Sequence, residues 1–188
     1  MKLVGLSLAM ALLLALAGCN IAVSDKPVFG EAQRSTVRLK DGYWVIAEQG
    51  CKYDSTKPVD SWPGCADWIV IAGNQIVRER DKNVFGVEPA LLIAVGEPLI
   101  MQIFSKSERG EQPFYSFGAI EPKAATPGGE VAAMQVWVVE CGADSSHHYP
   151  GFDTECRPGS SDALRAAATA SRPQENEMIV AKWVRATK

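Results

Sequence analysis

Eight short runs rich in β-branched and aromatic residues, most of them bounded by turn chemistry, constrain this chain more than any other feature. They occupy residues 42–49, 68–72, 75–80, 91–95, 99–105, 114–120, 131–140 and 178–185. Gly73-Asn74 joins two of them as a tight hairpin with glycine at its first central position, and Gly96-Glu97-Pro98 joins two more. Short strands linked by turns predict a mostly β fold, an antiparallel barrel or sandwich of about eight strands with one short late helix. Runs 68–72 and 91–95 are apolar on both faces. One face fills the interior, and the other needs cover from the helix, a second sheet or a partner.

The helix is signalled by Ser160, Ser161 and Asp162, whose oxygens suit an N-cap, followed by an alanine-rich segment over 163–168 and Pro173 beyond its end. So short a helix has to lean on the sheet to persist. Residues 121–130, with Pro122, Pro127, Gly128 and Gly129, read as a surface loop. Residues 20–34 are polar and aperiodic, broken by Pro27 and Gly30, and read as a tether. Residues 35–188 then form a single β-rich domain.

Four of the five cysteines, Cys51, Cys65, Cys141 and Cys156, lie within that domain. An even set favours disulfides wherever a chain is exported. Cys51–Cys65 and Cys141–Cys156 are the expected pairs, because each brackets one polar loop bearing Gly and Pro. Cys141 and Cys156 also neighbour His147 and His148, but zinc sites use tighter Cys-x₂₋₄-Cys spacing, and neither metal nor cofactor is expected. The net charge is −3 and the charges are dispersed, which leaves no footprint for nucleic acid.

A simple meander would put the loops at 50–67, 81–89, 106–113 and 141–160 at one end, opposite the two hairpins. Ligand contacts are then sought among Tyr53, Trp62, His147, His148 and Tyr149, with Asp81, Lys82 and Arg109 beside them. Trp62, next to Pro63-Gly64, reads as a cap over the mouth of a barrel. No Gly-x-Ser-x-Gly, His-Glu-x-x-His or phosphate-cradling glycine loop occurs, and catalysis is not expected. A hydrolase would have to assemble His147 or His148 with a loop Asp and a Ser in space.

At the other extreme of the chain, Met1-Lys2 leads into an apolar stretch over residues 3–16 and then Leu16-Ala17-Gly18-Cys19. The stretch is too short for a hydrocarbon core of about 30 Å and has the layout of a secretory signal. Leu-Ala-Gly-Cys resembles the lipobox of bacterial lipoproteins. That resemblance implies a signal peptide over 1–18 and lipidation of Cys19, palmitate included. Residues 19–34 become the lipidated N-terminus and its tether, and the protein sits in the bacterial envelope with the membrane as partner. Asn20, where Asp would favour inner-membrane retention, implies the outer membrane, facing the periplasm or the cell surface.

Gly42-Tyr43-Trp44 resembles the Gly-x-Trp signature that opens the lipocalin barrel. It implies that Trp44 packs across one end, stacked by a basic residue such as Arg185 or Lys182, and that the interior holds a small apolar ligand. The chain departs from that family in placing its helix before the last strand. The expectation is a non-enzymatic envelope lipoprotein that binds a small molecule or an envelope protein through its long-loop end. The alternatives are an assembly factor presenting an apolar sheet face, and a hydrolase. Cys19→Ala is expected to abolish incorporation of labelled palmitate and to move the protein out of the detergent phase on phase separation. Continued detergent partitioning of that variant would contradict the anchor.

Overall fold

The computed structural model describes residues 20–47, 50–73, 75–79, 90–105, 114–144 and 146–187. Cys19, Asp81, Lys82 and Arg109 lie outside the described residues. The elements are β1 (Val23–Ser24), β2 (Gly42–Ala47), β3 (Ala66–Ala72), β4 (Gln75–Glu79), β5 (Ala90–Ala94), β6 (Leu99–Ser105), β7 (Phe114–Ala125), β8 (Val131–Val138), β9 (Gly142–Asp144), β10 (His147–His148), α1 (Ser161–Ala170) and β11 (Ile179–Arg185). The fold is an antiparallel barrel, not a sandwich. Strands β2 to β8 form a meander, and β11 closes it by pairing with both β8 and β2. The eight predicted strands are the eight staves. Residues 121–125, expected in a loop, continue β7 against β8, and the loop shrinks to 126–130.

Side chains alternate between two apolar environments. The inward set includes Trp44, Ile71, Ile93, Ile120, Met134 and Ala181, with Ile76, Leu91 and Ile103 behind them. The outward set is covered twice. Val45, Trp68 and Val70 of β2 and β3 lie beneath the 51–65 loop, which contributes Val59 and Trp62. Ala94, Ile100, Phe117, Ala119 and Trp137 of β5 to β8 lie beneath α1 and the N-terminal segment, which contribute Leu164, Ala167, Ala168 and Phe29. The doubly apolar strands β3 and β5 therefore find their outer cover within the chain.

Helix α1 starts where its cap predicts, with the Ser160 hydroxyl accepting from the Ala163 N–H at 3.1 Å. Its buried face is Leu164, Ala167 and Ala168, and the Trp137 indole N–H donates to the Ala168 carbonyl at 2.9 Å. The helix sits between the seventh and eighth staves, before β11.

Residues 20–34 are not a tether. Ala22 and Phe29 are buried, and β1 adds to the edge of β7 by pairing Val23 with Ser116. The deciding group is Gln102 on the outer face of β6, only 4% exposed. Its Oε1 accepts from the Val28 and Phe29 N–H groups at 2.8 and 2.9 Å, and its Nε2 donates to the Phe29 carbonyl at 3.1 Å. A polar, aperiodic segment is thus fixed by a buried carboxamide at Val28 and Phe29, together with backbone bonds from Ala22 to Val139, Val23 to Cys156 and Val95 to Gln33. Gln102→Leu keeps the volume but leaves those backbone groups without their partner. It is expected to lower stability by about 2–3 kcal/mol in chemical denaturation; an unchanged midpoint would show that packing and the segment's other backbone bonds hold it without Gln102.

Candidate functional site

The two ends of the barrel differ. At one end the chain enters through residues 37–41 and seals the interior. The Lys40 N–H donates to the Val131 carbonyl at 3.0 Å, and the Val131 N–H donates to Arg38 at 2.8 Å. Leu39 is buried in the inner cluster with Trp44. The Trp44 indole donates to the Lys40 carbonyl at 2.8 Å, and the Trp183 indole to that of Asp41 at 2.9 Å.

Gly42 makes this entry possible. Its φ of +131° suits glycine, and a Cβ there would meet the Arg185 carbonyl and lie 2.8 Å from Trp183 Nε1. The hairpins at Gly73 and Gly96 and the 126–130 turn share this end. The cation expected to stack on Trp44 is placed elsewhere. Lys40 Nζ sits 3.4 Å from the Trp183 ring centroid, and Arg185 lies over Tyr43 at 5.4 Å. Lys182 pairs with Val45 in register on the outer face, so it cannot reach Trp44 inside the barrel.

At the opposite end the longer connections leave the staves, as a meander requires. Here the inward positions stop being buried. Phe114 lies in register with Ser105, Val138 with Gly118 and Ile179 with Val136, all on the inward side of their strands. Yet they are 38%, 51% and 46% exposed. Their outward neighbours Trp137 and Phe117 are buried under α1 and the N-terminal segment. Among the described residues, this end therefore has an apolar inner rim contributed by three adjacent staves, β7, β8 and β11, while the connections 80–89 and 106–113 at the same end lie outside the described residues. The sequence holds the signal for it as period-two alternation, but which parity faces inward is fixed only by the closed topology.

Both expected disulfides are formed. Cys51–Cys65 and Cys141–Cys156 have Cα separations of 5.8 and 5.2 Å. Their loops start at the open end but fold down the outside wall. Trp62 is buried against the outer face of β2 and β3 and is not a cap over the mouth. Its indole donates to the Asp54 carbonyl at 2.9 Å, and its ring meets Tyr53 at 5.0 Å. Burial pushes the Tyr53 hydroxyl pKa up. Tyr53 also lines an outer groove of ≈ 350 Å³ with Val45, Gln135, Met178 and Lys182. Tyr149 packs on the cluster beneath α1. The predicted ligand residues are thus divided between two outer faces rather than converging on one site.

His147 and His148 occupy β10, paired with β9. The His147 side chain is 77% exposed, with Nδ1 2.9 Å from Asp144 Oδ1 and 3.0 Å from Ser146 Oγ. The carboxyl of Asp144 is held well below the usual range, first by the Ser146 hydroxyl and then by His147 and the Ser146 N–H. This is not a hydrolytic triad. Serine and carboxylate address the same ring nitrogen, whereas proton relay requires one at each. His148 Nε2 lies 3.9 Å from Cys156 Sγ, and the ligand atoms of Cys141, His148 and Cys156 fall within 4.8 Å. The two sulfurs are bonded to each other, so the group does not present thiolates to a metal.

The chain matches no protein-family model, no curated protein and no solved structure.

The Cys51–Cys65 staple closes a loop with a sequence separation of 14 that carries Val59 and Trp62 onto the outer wall. Replacing both cysteines by serine is expected to cost about 3 kcal/mol in guanidinium denaturation. A loss below about 0.5 kcal/mol would mean that the aromatic packing alone holds the loop.

Proposed function

We propose that this protein is a lipid-anchored, non-enzymatic component of a bacterial envelope whose lipocalin-like barrel takes a small apolar molecule at its open end. The observation that carries this reading is the exposed inner rim of Phe114, Val138 and Ile179, set opposite an end sealed by Leu39 and Trp44. Apolar surface concentrated at one end of a barrel marks a binding place more than scattered exposed residues do. The sealed end gives such a ligand one route in and out. The lipobox at Leu16-Ala17-Gly18-Cys19 supplies the anchor, and Asn20 directs it to the outer membrane.

An assembly role through an apolar sheet face is less well supported, because the outer faces of β3 and β5 are covered by the 51–65 loop and by α1 with the N-terminal segment. A hydrolytic role lacks support from the His147 turn, for the reason of ring-nitrogen geometry given above.

The test is a titration with the apolar fluorophore N-phenyl-1-naphthylamine. Introducing charge at the rim, as Val138→Lys with Ile179→Lys, is expected to weaken binding roughly tenfold or more, since the ligand would have to desolvate an ammonium. Val77→Lys, on the outer face of β4, is expected to leave binding unchanged. Equal affinity of the rim variant and the unmodified protein would rule out the mouth as the site.

A further inference from the structure

We infer that the open end of the barrel seats directly on the lipid surface to which the protein is anchored, so that the mouth opens onto the membrane and not into water. The inference rests on the lipid-anchor reading above and adds an orientation to it. Its first support is the absence of slack after the anchor residue. Asn20 donates from Nδ2 to the Gly142 carbonyl at 2.5 Å, and its own carbonyl accepts from the Cys141 N–H at 2.8 Å. Ile21 bridges to Glu140, the Ala22 N–H donates to Val139 at 2.9 Å, and Val23 joins β7. Consecutive Cα atoms are about 3.8 Å apart across a trans peptide. Acyl chains on Cys19 would therefore originate one residue from Asn20, which is held beside Cys141 and Gly142, three to four residues past the end of β8.

The second support is what surrounds that point. Ile21 is 39% exposed, and its bridge to Glu140 sets it on the same side as Val138. With Phe114 and Ile179 it makes an apolar crescent beside the attachment point, at the end where the barrel is open. Two lipid-directed features, an anchor without a linker and an apolar rim, coincide at one end of the molecule. Several acyl chains hold a protein at the bilayer stably, so rim insertion is not needed for attachment and acts on orientation instead. The same end carries the exposed carboxylates Asp67 and Glu140, so the contact is apolar and not an attraction to anionic headgroups. A zwitterionic bilayer is the surface that fits. An apolar ligand moving between bilayer and barrel would then make the passage without crossing water.

The experiment places the lipidated, full-length protein in phosphatidylcholine vesicles containing lipid brominated near the headgroup end of its chains. Tryptophan is introduced by Phe114→Trp, by Val138→Trp and, at the sealed end, by Lys123→Trp, and emission is compared with that of the unaltered protein. The rim tryptophans are expected to be quenched about twofold, as for side chains buried 5–10 Å into the interface, and the sealed-end one not at all. Circular dichroism and thermal midpoints identify any variant that fails to fold, and whichever rim variant folds carries the test. The mass of the N-terminal peptide separates the two readings. An unacylated Cys19 overturns the anchor, whereas an acylated Cys19 with unquenched rim tryptophans, or quenching at position 123, overturns the seating. Inserting a flexible Gly/Ser spacer between Cys19 and Asn20 is expected to abolish rim quenching while leaving acylation intact.

Discussion

Closure by β11 is the constraint on which the rest of the structure depends. Until Ile179–Arg185 enters between β8 and β2, the meander is an open sheet with two unpaired edges and two apolar faces. Its insertion aligns Trp183 with Trp44, and Ala181 with both Ile46 and Met134. That removes both edges at once, which is the most complete answer to the edge-strand problem. Closure also decides which parity of every strand is inside. Residue 138 becomes a rim position and residue 137 a seat for the helix only because the sheet curls toward one face and not the other.

The order of the chain follows from this. The long excursion between β8 and β11 leaves at the open end and returns to it, and α1 is stowed on the outer wall meanwhile. The helix, the N-terminal segment and the 51–65 loop together form an outer layer over strands that are apolar on both faces. In a barrel this small the interior cannot bury every large side chain the sequence carries. The outer layer buries the remainder, including Trp62, Trp68, Trp137 and Phe117. The disulfides belong to this layer. Each pins an excursion beside the stave it covers, where packing alone would bear the full entropy of ordering a long loop.

Much of this was legible in the residues. Eight β runs, two hairpins, the Ser160 cap and both cysteine pairings depend on local chemistry or on spacing, and all stand in the structure as expected. The choice of barrel over sandwich was not legible, because it turns on a pairing between the first and last staves. The fate of residues 20–34 was hidden for a related reason. Nothing in that polar stretch announces burial, and the side chain that holds Val28 and Phe29, Gln102, lies some seventy positions away and reads as one more polar residue in a strand. Loop membership did not fix which face the candidate aromatic residues would occupy. Tyr53, Trp62 and Tyr149 pack on outer faces, while the rim residues Phe114, Val138 and Ile179 looked like ordinary strand positions.

With the lipid anchor proposed above, the N-terminal segment would also link attachment to fold. Where a lipidated domain hangs from a flexible tether, the membrane constrains its position but not its orientation. Here Ala22 is buried beside Val139, and Asn20 is hydrogen-bonded at the last turn of chain leaving β8. A lipid on Cys19, as proposed, would therefore pull on chain hydrogen-bonded beside the end of β8 rather than on a loose tether. In the proposed seating, the residues that complete the outer core would also set the distance from bilayer to mouth, so that stability and orientation would rest on the same contacts. Loss of the Gln102 carboxamide would free the Val28–Phe29 backbone, while residues 20–23 would keep their own bonds to Val139, Cys141, Gly142 and Cys156, so the two stretches of the segment are held independently.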